Sequence, residues 1–292
     1  MKVRRLLYGG LLSMSIIMTG CYNHSNNIAA VPTGEITIVS RETGSGTRDA
    51  FVSQANLLYQ ADQQKIDQTT LEAIIQNSTA GVLSTVQGDN RAIGYVSLGT
   101  MTDIVKPLAI DGVMPTRETI LSGEYLLQRP FIITWPKEVR EVVKDFINFI
   151  NSQEGQDVII KAGYVPANKK AQQYEKKAQS GLVTIVGSTS VTPVMEQLAQ
   201  QYKKQQPNVQ IDIISNGSTA GMTAIEEQTA DIGMSSRQLK AEEKSMMDYQ
   251  AFAMDGIVVV VNKNNSINQL TLQQVTNIFN GTMTEWQQVN NK

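Results

Sequence analysis

"IISNGSTAGMTAIEEQTADIGMSS", residues 213–236, matches "IIQNSTAGVLSTVQGDNRAIGYVS", residues 74–97, along its whole length. Each segment is typical of an apolar strand, a Ser-Thr-Ala-Gly turn, a helix and a second short strand around "IG". Upstream of them, "LVTIVGSTSVTPVMEQL" (182–198) and "EITIVSRETGSGTRDAF" (35–51) repeat the order strand, Ser/Thr/Gly loop, helix. Strands and helices that alternate in two similar halves predict an α/β protein of two lobes with mostly parallel sheets.

The loops that follow these four strands are rich in serine, threonine and glycine. In open α/β sheets, ligands lie beyond the carboxyl ends of the strands, so we expect the four loops to meet at one cleft. Helix N-termini offer unpaired N–H groups and partial positive charge, and glycine lets an anion approach the backbone. Arg41 can add a bidentate pair. A site for a tetrahedral oxyanion is predicted; ordinary helix N-caps are the alternative. The loops are 40–47, 77–81, 187–192 and 216–221.

Length and composition indicate a globular protein of one large or two medium domains. The chain has 292 residues, a formal net charge of -2 and a pI of about 5.6. Nucleic-acid binding normally needs a basic face, and a nearly balanced charge does not favour it.

Catalytic and metal-binding patterns are missing from the sequence. Ser45 in "GSG" does not stand in a G-x-S-x-G motif, and the only histidine, His24, lies outside the repeats. "GSTSVTP" lacks the lysine of a P-loop, and neither a zinc nor a calcium motif occurs. The sequence therefore predicts a binding protein without cofactor or metal. Catalysis by lysine or carboxylates is an alternative that no pattern favours.

The first residues differ from the rest of the chain. A basic start and a short apolar run, residues 1–21, are typical of an export signal that ends at Cys21. Cys21 is the only cysteine and follows Gly20, where a lipoprotein signal places the lipidated residue. A leftover cysteine in an apolar leader is the alternative. Residues 22–34 are polar and without periodicity, and we interpret them as a flexible tether.

Six motifs together resemble one family, the phosphate-binding lipoproteins of high-affinity phosphate ABC transporters. They are "RETGSGTRDAF", "NSTAG", "AIGYVSLG", "GSTSVTP", "NGSTAG" and "ADIGMSSR", spread over residues 35–292. The resemblance implies a two-lobed periplasmic-binding-protein fold of type II that closes on inorganic phosphate. It also implies delivery to the permease and ATPase subunits of a transporter, and a lipid anchor on the outer face of the cell membrane.

The order of the motifs departs from that family. There the "GSTSVTP" half comes first, whereas here it follows the "RETGSGTRDAF" half. We interpret this as a circular permutation with residues 167–181 as the new join, which surface termini that lie close together would tolerate. One lobe would then be split between 35–127 and 258–292, and the other would be continuous over 128–257. Strands near 125–135 and 252–262 would cross between them.

The resemblance also implies phosphate contacts, residue by residue. Arg41 would pair with the anion, and Ser45, Gly46 and Thr47 would donate from a helix start. Across the cleft, the resemblance adds Thr189, Ser190, Val191 and Ser218. Some family members have an acidic acceptor for the phosphate proton where this chain has Ser236. Asp255 is then a candidate substitute, although a turn-forming Asp before Gly256 is the alternative. A binder of sulfate or molybdate, or a surface sensor or adhesin, remains open.

Overall fold

A computed structural model describes residues 32–61 and 64–290. Cys21 and His24 lie outside the described residues. Helices and strands follow the order that the repeats predict, except that two antiparallel strands, 58–61 and 64–67, are inserted in the first repeat. The strands are β1 Thr37–Arg41, β2 Leu58–Ala61, β3 Gln64–Asp67, β4 Ile74–Gln76, β5 Ala92–Ser97, β6 Val105–Pro107, β7 Ala109–Ile110, β8 Gln128–Trp135, β9 Val165–Pro166, β10 Gly181–Gly187, β11 Val209–Ser215, β12 Ile232–Ser235, β13 Asp248–Asn262 and β14 Gln269–Leu270. The α-helices are α1 Gly46–Gln54, α2 Thr79–Gly88, α3 Arg117–Ser122, α4 Glu141–Asn151, α5 Gln153–Lys161, α6 Thr192–Gln205, α7 Ser218–Glu226, α8 Ala241–Met246 and α9 Leu272–Phe279.

Two sets of parallel strands are joined by an antiparallel pair in one sheet. The strand order is β11-β10-β12-β8-β13-β5-β1-β4, with β6 and β9 also paired to β13. β10 is parallel to β11 and β12, and β1 is parallel to β4 and β5. The central strands β8 and β13 are antiparallel to each other and to their outer neighbours. This mixed α/β architecture confirms the predicted fold class.

The hydrophobic core divides into two parts, one on each side of the β8–β13 pair. Buried side chains of the first part come from before Gln128 and after Gly256, with Val165 also packed there; examples are Phe51, Tyr95 and Trp286. Those of the second part come from between them, such as Phe146 and Leu198. We call these parts the first lobe and the second lobe. The apolar runs of β1 and β10 are buried because both strands lie in parallel ladders whose two faces are covered by helices. The apolar end of β13, which is antiparallel to its neighbours, is buried in the centre of the same sheet.

A buried ion pair marks the point where the crossing strands pass between the lobes. Arg129 on β8 is directly opposite Asp255 on β13. Its Nε and Nη2 donate to Asp255 Oδ2 at 3.1 and 3.0 Å, while Ser97 Oγ and the Leu98 N–H donate to Oδ1 at 2.8 and 3.1 Å. Burial raises the pKa of the Asp255 carboxyl group, and these donors act against that rise. Four donors on one carboxylate fix the two strands and the Ser97 turn together.

The two ends of the described chain lie side by side in the first lobe. The Ile36 N–H donates to Thr284 O at 2.7 Å, and the Trp286 N–H donates to Gly34 O at 3.2 Å. Residues 169–180, within the predicted join, have no regular secondary structure and lie along α4, α5 and α6. Their central anchor is Tyr174, whose hydroxyl donates to the buried Asp145 Oδ2 at 2.5 Å. Side-chain contacts and the hydrogen bond from the Gln153 N–H to Gln172 O at 2.7 Å therefore order this segment, rather than a helix or strand of its own.

Within the described ranges, the longest apolar helices are too short to cross a membrane.

Candidate functional site

The site begins at the carboxyl end of β1, where Arg41 is 1% exposed. The hydroxyl of Tyr95 on β5 accepts from the Arg41 N–H at 3.3 Å and is hydrogen-bonded to Ser40 Oγ at 2.8 Å. Burial raises the pKa of Tyr95 to about 12, so this phenol stays protonated at neutral pH. Phe51 of α1 stacks on the Tyr95 ring with 3.9 Å between ring centroids. The backbone that carries Arg41 is thus held by the core of the first lobe.

The Arg41 guanidinium has one edge on a carboxylate and the other towards hydroxyl groups. Its Nε and Nη2 donate to Glu42 Oε2 and Oε1, both at 2.8 Å, in a bidentate pair. Nη2 also donates to Thr189 Oγ1 of the second lobe at 3.1 Å, and Nη1 lies 3.5 Å from Thr79 Oγ1. The fork geometry of the pair with Glu42 orients the remaining donors towards the cleft.

Hydroxyl groups from both lobes meet beside Arg41. Thr47 Oγ1 of the first lobe is 2.8 Å from Ser190 Oγ of the second lobe, and Thr79 Oγ1 is 3.1 Å from the same atom. Thr79 Oγ1 is also 3.3 Å from Thr189 Oγ1. Each residue in this group except Thr189 is buried. Since a hydroxyl can donate or accept, the group can turn its donors towards one anion.

A second cluster of hydroxyl side chains lies beside Gly46, the first residue of α1. Ser236 Oγ accepts from Ser188 Oγ at 2.8 Å, and the Ser236 N–H donates to Ser218 Oγ at 3.1 Å. All three side chains are buried. A Cβ added at Gly46 would lie 2.2 Å from Ser218 Oγ and 2.8 Å from Ser236 Oγ, so only glycine fits there. We call the whole set of Arg41, Thr47, Thr79, Thr189, Ser190, Ser188, Ser218, Ser236 and Gly46 the clamp.

Three residues predicted to contact an anion have other hydrogen-bond partners in the structure. The Val191 N–H donates to Ser188 O at 3.1 Å within the same turn, and the Val191 side chain is buried in the core of the second lobe. Asp255 has both carboxylate oxygens occupied by Arg129, Ser97 and Leu98, so the structure does not bring it to the clamp. Ser45 acts as the N-cap of α1 and accepts from the Arg48 N–H at 3.4 Å.

Three residues of the site were missed by sequence reasoning. Thr79 and Ser188 lie in two of the predicted loops, and Glu42 follows Arg41 directly. The repeat aligns Ser78, rather than Thr79, with Ser218. Ser78 instead caps α2 by accepting from the Gly81 N–H at 3.0 Å, which leaves the next hydroxyl to reach the cleft. Glu42 could have been predicted, because a carboxylate next to an arginine in the sequence is a common ion-pair partner for it.

The clamp has the chemistry of an oxyanion site. It offers one guanidinium, seven hydroxyl groups and the first N–H groups of α1, against the single carboxylate of Glu42. Within residues 32–61 and 64–290, no cluster of three or more histidine, cysteine, aspartate or glutamate side chains is arranged for a metal ion. Burial strengthens each contact between these donors and a negative charge.

Comparison with known proteins gives the family. A model of the PBP superfamily domain matches residues 17–154 and 170–292. The phosphate-binding protein PstS 2 of Streptococcus pneumoniae serotype 4 is 45% identical over 290 residues, which are 99% of this chain and 100% of that protein. The chain belongs to the PstS family of the PBP superfamily. The family predicted from the six motifs is thereby confirmed.

A solved structure supports the same conclusion for this PstS chain. A phosphate-binding protein of a phosphate ABC transporter from Streptococcus pneumoniae TIGR4 is 48% identical, with a TM-score of 0.71. The match covers 88% of this chain and 100% of that one. These PstS relatives are named as binding proteins and not as enzymes, in agreement with the sequence prediction.

A more distant PstS relative matches over a single segment. The phosphate-binding protein PstS of Pseudomonas aeruginosa is 34% identical over 119 residues, which are 38% of this chain and 37% of that protein. The PstS 2 relative, in contrast, follows this chain in the same order from end to end.

Proposed function

We propose that this protein captures inorganic phosphate between its two lobes and delivers it to the permease and ATPase subunits of an ABC transporter. The observation that carries the proposal is the convergence of Arg41 and hydroxyl groups of both lobes within hydrogen-bonding distance. The names of the two streptococcal relatives, a PstS 2 and a transporter-linked phosphate-binding protein, support it.

Phosphate would bind by replacing contacts that the clamp residues make with each other. The hydroxyls of Thr47 and Ser190 need only rotate to donate to an oxyanion, while Arg41 keeps its pair with Glu42. Closure would remove water from the anion, and fixed donors would take the place of that water. Release would require the lobes to separate, as expected when a loaded binding protein docks on its permease.

The proposed phosphate contacts combine predicted and newly found residues. Thr79 and Ser188 join the predicted set, and Asp255 leaves it because its oxygens are used by Arg129, Ser97 and Leu98. The proposed contact residues are Arg41, Ser45, Gly46, Thr47, Thr79, Ser188, Thr189, Ser190, Ser218 and Ser236, with Val191 contributing to the shape of its turn.

Ser236 is the reason to keep a second oxyanion under consideration. A carboxylate at this position would accept the proton of hydrogen phosphate and repel sulfate, which has no proton to give. The Ser236 hydroxyl, already bonded to Ser188, can donate to either anion. A carrier with broader oxyanion binding, including sulfate or molybdate, is therefore the alternative.

Calorimetric titration of residues 25–292, stripped of bound anion, tests the function directly. We expect one phosphate to bind per chain, with a sulfate affinity at least about tenfold weaker. Hydrogen phosphate carries a proton that a hydroxyl oxygen of the clamp can accept, whereas sulfate carries none. Equal affinities would favour the broader carrier. If neither anion binds, the four loops are helix caps and the proposal fails.

Delivery and anchoring need a cellular measurement. Deleting the gene should slow growth on limiting phosphate, in a strain without a second uptake system, and the full-length chain should restore it. Lipid attachment at Cys21 and a place on the outer face of the cell membrane are part of the proposal. A Cys21→Ser chain should then appear in the medium instead of the membrane fraction. Unimpaired growth after deletion would favour a sensor or adhesin.

We also infer that the order of the chain is a circular permutation. The adjacent ends at Gly34 and Trp286, the irregular join and the short Pseudomonas match all support it. A rearranged chain that starts at residue 181 and links residue 290 to residue 32 by a short flexible linker should fold with the same phosphate affinity, within about twofold. An unfolded product would contradict the inference, provided that the linker alone, inserted at residue 175, is tolerated.

A further inference from the structure

The two lobes contact each other outside the clamp as well, along the rim of the cleft. The Thr219 N–H of the second lobe donates to Gly44 O of the first lobe at 3.1 Å. Arg237 Nε of the second lobe lies 3.0 Å from Asp49 Oδ2 of the first lobe. Each of these residues is within three positions of a clamp residue in the chain, yet none belongs to the clamp.

Arg237 is held in place from within its own lobe. Its Nη1 and Nη2 donate to Glu243 Oε2 and Oε1 at 2.8 and 2.7 Å, and Nη1 also donates to Gln238 O at 3.0 Å. Glu243 in turn accepts from the Lys240 N–H at 2.7 Å. Since both terminal nitrogens are used, the Nε edge of the guanidinium is what remains to face Asp49 on α1. Arg237 is therefore preorganised for a partner in the other lobe.

The contact between Arg237 and Asp49 is primarily electrostatic. Among the described residues, Arg237 Nε has no acceptor in line with its N–H, although Asp49 Oδ2 is close. The Arg237 side chain is 5% exposed and that of Asp49 is 40% exposed. Burial raises the pKa of the Asp49 carboxyl group, while the charges of Arg237, Lys240 and Arg48 lower it and that of Asp67 raises it. Burial is the largest of these effects, so the pKa of Asp49 lies above its ordinary value, and the three neighbouring cations limit that rise.

We propose that Asp49 and Arg237 form a latch that holds the lobes together and thereby sets how tightly and how long the anion is bound. Neither side chain touches the anion; both are positioning residues, and the proposal rests on the function proposed above. A contact that exists only when the lobes are closed stabilises that state, so its loss lowers the apparent affinity of any ligand that binds between them. Opening breaks the pair with Asp49, whereas the pair with Glu243 survives.

The latch is expected to contribute modestly to the affinity for phosphate, and this contribution should fall as the salt concentration is raised. Partly exposed ion pairs contribute little in water and are screened within about 8 Å at physiological ionic strength. We therefore expect about a three- to tenfold effect on the dissociation constant, carried mainly by the dissociation rate. The clamp alone accounts for the remaining affinity.

Asp49→Asn is the variant that tests the latch, because it leaves the Arg237–Glu243 pair intact. Its dissociation constant for phosphate should rise three- to tenfold at low salt, and the difference from wild type should shrink at 1 M salt. Glu118→Gln is the matched control: Glu118 is also an acid in the first turn of a helix, α3, and is 75% exposed at its side chain. The control should bind phosphate like the wild type.

A measurement without ligand separates failure of the latch from failure of the proposed function. Small-angle scattering of anion-free protein should show a larger radius of gyration for Asp49→Asn than for wild type or Glu118→Gln. As the salt concentration is raised, the radius of gyration of the wild type should increase towards that of Asp49→Asn. If Asp49→Asn matches wild type in both scattering and dissociation rate, the latch does not exist. Wild type that fails to bind phosphate while the scattering difference persists would overturn the phosphate proposal and leave the latch standing.

Discussion

Replacing Arg41 with alanine is expected to weaken phosphate binding by about 100- to 1000-fold. The change removes a buried positive charge and the donor that reaches Thr189, and truncating one partner of a buried charged contact costs about 2–5 kcal/mol. Ser218→Ala removes one neutral hydroxyl and should cost about two- to tenfold. Titration calorimetry on both variants measures the ratio, and comparable losses would contradict the assignment of Arg41 as the main anion contact.

Two further variants separate the causes of the Arg41 effect. Arg91→Ala removes an arginine that is half exposed and should leave affinity unchanged, which controls for the loss of net charge. Glu42 would lose its bidentate partner in Arg41→Ala and would add an unpaired negative charge to the cleft. If Arg41→Ala with Glu42→Gln recovers most of the affinity, repulsion by Glu42 is the cause rather than a lost contact with phosphate.

Replacing Gly46 with alanine is expected to abolish tight phosphate binding while the protein stays folded. The added Cβ would lie 2.2 Å from Ser218 Oγ, an atom of the other lobe, so the clash exists only when the lobes are closed. The first turn of α1 tolerates alanine well, and we expect little change in Tm. Calorimetry should show a dissociation constant at least about 100-fold higher, and scattering should show an open protein with and without phosphate.

Gly88→Ala is the control for Gly46→Ala. Gly88 ends α2, and a Cβ added there would meet nothing within 4 Å. This variant should bind phosphate like the wild type. Tight binding by Gly46→Ala would show that the lobes close less completely on phosphate than the described structure does, and that Ser218 and Ser236 are not clamp residues.

The internal repeat made the architecture and the four loops predictable. Residues 74–97 and 213–236 share the strand–turn–helix order, and parallel strands bring equivalent turns to the same edge of a sheet. The crossing strands were predicted from apolar runs near 125–135 and 252–262. β13 begins four residues earlier than its run, at Asp248, because its half-exposed start pairs with β8 instead of being buried.

The sequence could not predict which residues far apart in the chain contact each other. Asp255 before Gly256 suggested either a turn or an anion contact, and nothing along the chain pointed to Arg129, which lies 126 positions away. Thr79 was missed because hydroxyls next to each other in a turn divide into one that caps the helix and one that points away, and only the backbone angles decide which. The Asp49–Arg237 contact depends on how the lobes meet, and a pattern within either lobe cannot show that.

β13 continues for 15 residues from the second lobe into the first, paired along most of its length with β8 or β5. Its ladder with β8 has one irregularity, between Ala251 and Ala253, and is regular from Ala253 to Gly256, where the strand passes between the lobes. The connection between the lobes is therefore a two-stranded ribbon and not a loose loop. A ribbon resists bending at a single point, because that would break its ladder, but it can twist by a few degrees at each residue. We therefore expect the two lobes to move as rigid bodies that rotate about this ribbon. The twisted ribbon should return them to one preferred angle after the ligand leaves.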